Sequence, residues 1–460
     1  MKTGSKLWLG VSTFALVAAI GVPPHVADRE IVAWPLSTAH AEGGEAGEAG
    51  EAKHNDGGEG GKAGEAVKPK AGEGGEGGEG GEGGEGAESS EGGAPASYSL
   101  SSTDPNAFNF DAKPQIDAYV ALVHDSYEKA AGDATALQSA IDAFLAAPSQ
   151  DTLTAARNAW LNARVAYLQT EAFRFYDSPI EEIEGRINAW PMNEAFIDYV
   201  EGAPKSGLIN DKKVKLSIET ILEKDQVSDE ADVTTGWHAI EFLLWGQDRN
   251  ALGAGNRPVS DYIAGKGKND RRRTYLKLVT DQLVADLSGL AEQWEPSHAD
   301  GYAAKFLALP QREALGRMLA GLATLSGFEM MSERLAVALD SGDQEDEYSC
   351  FSDNTHADFV YDLRGIRNVW FGDVGGMARP GLDALVASLD PSLADHLNGL
   401  LNVADAAIAD LDQPFDRILA APPDSTKRKE AEVAVKALSA LGEGFKAAGQ
   451  KLGVLVLIPS

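Results

Sequence analysis

Downstream of Pro114 the apolar residues recur at intervals of three and four, a spacing that commits the chain to helices. Ile116, Tyr119, Val120, Val123 and Tyr127 form one stripe; Leu137, Ile141, Phe144 and Leu145 form a second; Leu153, Leu161, Val165, Leu168, Ala172 and Phe175 form a third. Tyr275, Leu278, Val279, Leu283, Leu287, Leu290 and Trp294 mark another long helix, and Leu315 to Leu339, Leu382 to Leu389, Leu393 to Leu411 and Glu430 to Leu441 follow the same rule. Residues so spaced share one helical face, and each such face needs a neighbour to cover it. Asp111, Ser149 and Asp270 stand where N-caps are expected, and Gly132 and Pro148 where helices stop. No run alternates convincingly with period two, and only Val454 to Ile458 is ambiguous. The expected fold class is all-α, built from helical bundles.

An internal resemblance suggests how many. Ala239-Ile240-Glu241-Phe242-Leu243-Leu244-Trp245-Gly246 aligns without gaps on Gly365-Ile366-Arg367-Asn368-Val369-Trp370-Phe371-Gly372. Two helical-bundle domains with pseudo-repeat topology follow, over 105–297 and 298–460. Ahead of them, 42–104 reads as a disordered acidic Gly/Glu-rich linker, since 21 of the chain's 50 glycines fall in the 57 residues from Glu42 to Tyr98. Such a segment buries nothing that could offset its ordering entropy. Residues 1–41 read as a signal peptide: Lys2 and Lys6 precede the apolar run Leu7 to Val22, which is short for a membrane span, and Ala39-His40-Ala41 fits a cleavage site. An uncleaved N-terminal anchor is the alternative. The expected destination is the periplasm or the periplasmic face of a bacterial membrane. A formal net charge of -31 argues against nucleic acid and anionic lipid as partners, and one cysteine excludes an intramolecular disulfide.

The seams of these helices carry unexpected charge. Over Thr152 to Tyr176, Trp160, Arg164, Tyr167, Glu171 and Arg174 are spaced four, three, four, three, so an apolar seam turns ionisable partway along. Leu315, Leu319 and Leu322 lead in the same way into Ser326, Glu329 and Glu333. Buried charges are costly unless paired, so such seams either pair internally or line a wet site. The other reading is a solvent-facing surface with ordinary i,i+3 and i,i+4 pairs.

Gly236-Trp237-His238-Ala239-Ile240-Glu241 is the sharpest local motif. His238 and Glu241, three apart on one helical face, are spaced to let an imidazole nitrogen and a carboxylate oxygen meet one metal ion. The spacing alone is at chance level, because His25 and Asp28 share it. Its weight comes from the apolar helix that it opens, with Phe242, Leu243, Leu244 and Trp245 following. Glu171 or Glu184 would be the natural further ligand. Asp340 to Glu347 fails the calcium-loop test, with glycine third rather than sixth, and reads as a solvated acidic turn. Cys350 and His356 could form a nucleophile and base, but Asp353 or Thr355 as a helix cap explains part of that stretch without chemistry. Arg271-Arg272-Arg273 reads as a solvated helix start.

At these residues the chain resembles the imelysin family, the group of the insulin-cleaving membrane protease and iron-regulated protein A. Gly236, His238 and Glu241 meet its Gly-x-His-x-x-Glu signature. The Arg164, Tyr167 and Glu171 helix, Glu184 to Pro191, Phe328-Glu329 with Glu333-Arg334 through Asp343 to Glu347, and Cys350 to His356 are similar to further family blocks. The resemblance implies two helical domains with the signature near their interface, in an exported protein linked to iron acquisition, and it also implies a peptidase label. Three functions are therefore carried forward. The first is a periplasmic protein binding divalent or ferric metal, iron or zinc, through His238, Glu241 and Glu171, with an uptake partner in the periplasm or membrane. The second is a metallopeptidase built on the same pair. The third is a ligand-binding or adaptor module without metal. Gly236, Arg164, Tyr167, Glu184, Glu329, Glu333, Asp353 and His356 complete the candidate site.

Overall fold

The computed structural model of the protein describes residues 97–104, 107–250, 253–374 and 376–459, and almost every apolar stripe within them is one face of a helix. The signal peptide, and the linker as far as residue 96, lie outside the described residues. The helices are α1 (Lys113–Ala146), α2 (Gln150–Leu168), α3 (Glu184–Ile187), α4 (Glu194–Ile197), α5 (Ile218–Leu222), α6 (Gly236–Trp245), α7 (Lys268–Trp294) and α8 (Tyr302–Leu307). There follow α9 (Gln311–Thr324), a π-helical stretch (Leu325–Ala336), α10 (Val337–Ser341), α11 (Thr355–Phe371), α12 (Leu382–Leu389), α13 (Pro391–Ala409), α14 (Asp416–Leu419) and α15 (Thr426–Lys451). Among the described residues the fold is all-α apart from two short antiparallel ribbons.

One ribbon settles the ambiguous C-terminal run. β4 (Val454–Val456) pairs with β1 (Tyr98–Leu100), in the register Tyr98 to Val456 and Leu100 to Val454. Residues placed at the end of the linker are thus part of the fold. The other ribbon joins β2 (Asp373–Val374) to β3 (Met377–Ala378).

Helix limits depart from expectation where local chemistry decides them. Ser149 caps α2 as expected, with a reciprocal capping box through Thr152. Gly132 does not stop a helix; α1 runs through it to Ala146, because Tyr127, Ala130, Ala131, Ala134 and Leu137 keep one continuous buried face. The cap residues of α1 and α7 are Ala112 and Gly267, not Asp111 and Asp270. Arg271 to Arg273 is not a solvated start: Arg272 is buried, its Nε donating to Asp198 Oδ2 at 2.5 Å.

Packing groups α1 with α2 and α7, and α6 against α2 and α7. It groups α15 with α9, α13 and the π-helical stretch. α11 crosses between the groups, touching α2 as well as α12 and α13. The two blocks of the internal resemblance both end a helix on a glycine of positive φ, Gly246 at 74° and Gly372 at 69°.

Candidate functional site

The Gly of the signature is dictated by backbone geometry. Gly236 opens α6 at φ 82°, and a Cβ there would sit 2.3 Å from the Ile187 carbonyl oxygen. Only glycine tolerates that conformation and that approach. With the entry of α6 fixed, Thr235 donates its hydroxyl to the Arg186 carbonyl at 2.8 Å, and all ten residues of the helix are buried.

His238 and Glu241 meet each other. His238 Nδ1 lies 3.0 Å from Glu241 Oε2. The second Glu241 oxygen accepts from the Ser352 amide at 2.9 Å and the Ser352 hydroxyl at 2.6 Å. His238 Nε2 is buried and has no hydrogen-bond partner among the described residues. The imidazole packs between the rings of Trp190 and Tyr348, both 4.9 Å away between centroids. Burial, reinforced by the Arg164 and Arg334 charges, pushes the His238 pKa well below its ordinary value, so the ring is neutral. Burial likewise pushes the Glu241 carboxyl up to about 8, against the lowering pull of the Ser352 hydroxyl.

The seam charges form a buried network rather than a solvated face. Helix α2 ends at Leu168, and Glu171 sits on the following 3-10 turn, so the heptad spacing is broken while the burial survives. Arg174 Nη1 donates to Glu171 Oε2 at 3.0 Å and lies 3.0 Å from Glu184 Oε1. Arg334 Nη2 donates to Glu171 Oε2 at 2.5 Å, and its Nη1 to Asp362 Oδ2 at 2.8 Å. Burial alone would raise the Glu171 pKa, but the Arg174 and Arg334 guanidiniums hold it at about 2. Arg164 donates to Asn188 Oδ1 at 2.6 Å and contacts Asp358 Oδ1 at 3.4 Å. Its guanidinium carbon is within 5.7 Å of the ring centroids of Trp160, Tyr167, Trp237 and Tyr348. Asn188 then donates to Glu171 Oε1 at 3.3 Å, linking the Arg164 and Glu171 clusters.

In the other seam the π-helix changes the register. Its wider turn places Arg334 over Glu329, five residues earlier, with Nη2 3.0 Å from Glu329 Oε1. Glu333 is consequently exposed and leaves the site. Tyr167 is buried, and its hydroxyl has no hydrogen-bond partner among the described residues. Glu171 is not beside the His238 and Glu241 pair as a third oxygen donor: these three are absent from the groups of metal-compatible side chains whose ligand atoms fall within 4.8 Å of one another among the described residues.

The remaining candidates separate. Asp353 joins Asp248 and Asp416 in such a group. His356 lies partly buried at the start of α11, its Nδ1 unpartnered, and burial lowers its pKa to about 4. Cys350 is buried and its thiol is pushed well up, first by burial and then by Glu241, the opposite of an activated nucleophile. The cap of α11 is Asn354, not Asp353 or Thr355. The acidic turn is solvated over Ser341 to Asp343, but Glu347 at its end is fully buried. Spacing did not single out Ser352, Asn188, Trp190, Tyr348, Arg334, Asp358 or Asp362. For Asp358 and Asp362 a signal existed: two acids one turn apart, beside Phe359, Leu363 and Ile366, on the apolar face of α11.

Comparison with known proteins gives this geometry a setting. The family model described as imelysin matches residues 123–443. Iron-regulated protein A of Synechococcus elongatus is 25% identical over 327 residues, which span 69% of this chain and 81% of that protein. Two crystal structures share the fold. A chain described as an iron-regulated protein A precursor from Parabacteroides distasonis gives a TM-score of 0.57 at 21% identity, covering 75% of this chain and 97% of its own. An imelysin-like protein from Psychrobacter arcticum gives 0.56 at 17% identity, covering 76% and 99%. Among the described residues no helix is long and apolar enough to cross a membrane.

Proposed function

This chain belongs to the imelysin family, and on that premise we propose that it is an exported iron-handling protein whose His238 takes a metal ion in the service of bacterial iron acquisition. The observation that carries this is the unpartnered, buried Nε2 of His238 combined with the tie from Nδ1 to Glu241. A metal-ligating histidine commonly has its other ring nitrogen held by a carboxylate, which fixes the tautomer and the ring plane. Glu241 is therefore the orienting acid, itself held by Ser352, and Nε2 is the ligand atom. Glu171 would join only by giving up Arg334 or Arg174.

The surrounding charge narrows the cargo. Arg164 and Arg334 put positive potential on the His238 ring, and among the described residues the buried Nε of Arg164 has no hydrogen-bond partner. Iron arriving with anionic oxygen ligands of its own would satisfy both the imidazole and a guanidinium. The name of the Synechococcus elongatus relative agrees with an iron-related role. The charged leader with its short apolar run supports export, and a periplasmic or membrane partner for uptake belongs to the same reading. The packing groups support two bundles, proposed at 105–297 and 298–460, with α8 packed on α1 and α7 of the first.

The metallopeptidase reading is weaker, because hydrolysis needs a carboxylate free to activate water, and both Glu241 oxygens are engaged. The deciding experiment loads the full chain with ferric citrate and measures retained iron. The wild-type protein retains iron and His238→Ala does not. Equal iron in the two proteins removes the assignment, and no iron in either favours a metal-free binding or adaptor module. Peptide-library cleavage abolished by Glu241→Gln would instead restore the peptidase.

A further inference from the structure

Three carboxylates outside the His238 network converge where three loops meet. Asp248 follows the end of α6, Asp353 lies in the turn before α11, and Asp416 opens α14; one oxygen of each lies within 4.8 Å of those of the other two. Asp248 and Asp416 are buried and Asp353 is partly so. The Asp248 oxygens accept from the Asn250 amide at 2.9 Å and from the Gln344 side chain.

A fourth acid points to a ligand independently. Glu347 is 0% exposed, and neither of its oxygens has a hydrogen-bond partner among the described residues. Its carboxyl faces that of Asp416 at close range and feels the charge of Asp353. The Thr355 hydroxyl lies beside it and lowers its pKa somewhat, while the Thr355 oxygen accepts from the Ser349 amide at 3.0 Å. Among the described residues both Asp416 oxygens and Asp353 Oδ1 are also buried without a hydrogen-bond donor. Basic residues next to the cluster in sequence are turned elsewhere: Arg249 pairs with Glu201, and Arg417 with Asp412.

Four carboxyl groups gathered away from water without a guanidinium or ammonium must be neutralised by protons or by a cation. Every donor is an oxygen, the set preferred by hard cations, and several carboxylates on flexible loops suit calcium better than the rigid octahedron of magnesium. We propose that Asp248, Asp353 and Asp416 bind one hard divalent cation of the calcium type, with the Glu347 carboxylate behind Asp416 adding charge to the site, at a structural site separate from His238. The ion pins the loops after α6, before α11 and before α14 to one another. Ser352, which holds Glu241, is the sequence neighbour of Asp353, so the same ion stiffens the turn carrying that contact.

The test uses thermal unfolding of the full chain after removal of metal with EDTA. Calcium at about a hundredfold excess over its Kd raises the wild-type midpoint by roughly 5 °C, and magnesium and zinc each raise it less. Glu347→Gln and Asp416→Asn raise the midpoint in EDTA, because each removes buried charge, and lose the calcium increment. His238→Ala keeps that increment, so this result stands apart from the iron-retention experiment. No increment in the wild-type protein, or an increment surviving in both carboxylate variants, overturns the proposal, since protons alone then neutralise the cluster. A zinc response equal to that of calcium overturns the hard-cation assignment. If the variants do not fold, terbium luminescence of the wild-type chain decides: emission displaced by calcium supports the site, and its absence overturns it.

Discussion

Arg334 Nη2 lies 2.5 Å from Glu171 Oε2, and this contact joins the π-helical stretch to the turn that ends α2. Both side chains are almost fully removed from water, at 2% and 0% exposure. Each has further opposite charges: Asp362 and Glu329 for the arginine, Arg174 for the glutamate. Taking these ions out of water is repaid only while every partner stays in place. The network therefore fixes how the segments carrying it meet, in a way that apolar packing alone would not.

Glu171→Gln breaks that balance by leaving Arg334 and Arg174 short of a countercharge, and should cost about 3 kcal/mol of stability in denaturant unfolding. The pH dependence has a definite sign. Because the folded-state pKa of Glu171 is lowered from 4.5 to about 2, its contribution is fully present above pH 4.5 and is lost as the pH falls toward 2. Stability curves of the wild-type and Glu171→Gln proteins should converge across that interval. Parallel curves would show that the carboxylate charge is not what the arginines need.

Gly236→Ala tests the geometry that sets α6. The added Cβ would meet the Ile187 carbonyl at 2.3 Å, in a backbone conformation with φ at 82°. A cost of roughly 2 kcal/mol or more is expected. Because His238 and Glu241 ride on the same helix, iron retention should fall as well, even in protein that remains folded by circular dichroism.

Much of the fold was legible because burial follows helical periodicity. Trp160, Arg164, Tyr167 and Glu171 were read as one seam, and all four are buried. The register of the second seam was not legible. Glu333 should share a face with Ser326 and Glu329 in an α-helix, but the π-helix hands that place to Arg334. No local residue signals so wide a turn; it is set by the pairing of Arg334 with Glu171 and Asp362, far away in sequence. The partners of the signature were hidden for the same reason. Ser352 is more than a hundred residues from Glu241, so only the fold reveals the bond. Glu347 was hidden by its company, one buried acid at the end of a mostly exposed acidic turn.

Ser352→Ala removes the hydroxyl that donates to Glu241 Oε1 while leaving the amide donor in place. A loss of about 1–2 kcal/mol in stability is expected for a buried carboxyl deprived of one donor. If Glu241 orients the imidazole, iron affinity should also fall, by roughly tenfold or more. Titration of ferric citrate into the two proteins measures this. Unchanged affinity with reduced stability would make Ser352 purely a packing residue.

The His238 side chain is 0% exposed, so any cargo must displace a neighbour to reach Nε2. Of the two rings that enclose it, Tyr348 is pinned: its hydroxyl accepts from Asn188 at 2.5 Å, and the Arg334 guanidinium lies 4.0 Å from its centroid. Trp190 is only half-buried and contacts His238, Tyr348 and Phe351 through ring packing. Trp190 is thus the side chain whose displacement opens the site at least cost. In Trp190→Ala, His238 should become reactive toward diethyl pyrocarbonate, a reagent for neutral imidazole, while the wild-type residue stays protected. Iron should then load faster and also leave faster, so that rates change more than affinity. Peptide mapping of the modified protein distinguishes His238 from the other histidines. Continued protection of His238 in this variant would mean that access depends on separating α6 from the turn around Ser352, and Ser352→Ala would then be the variant that exposes it.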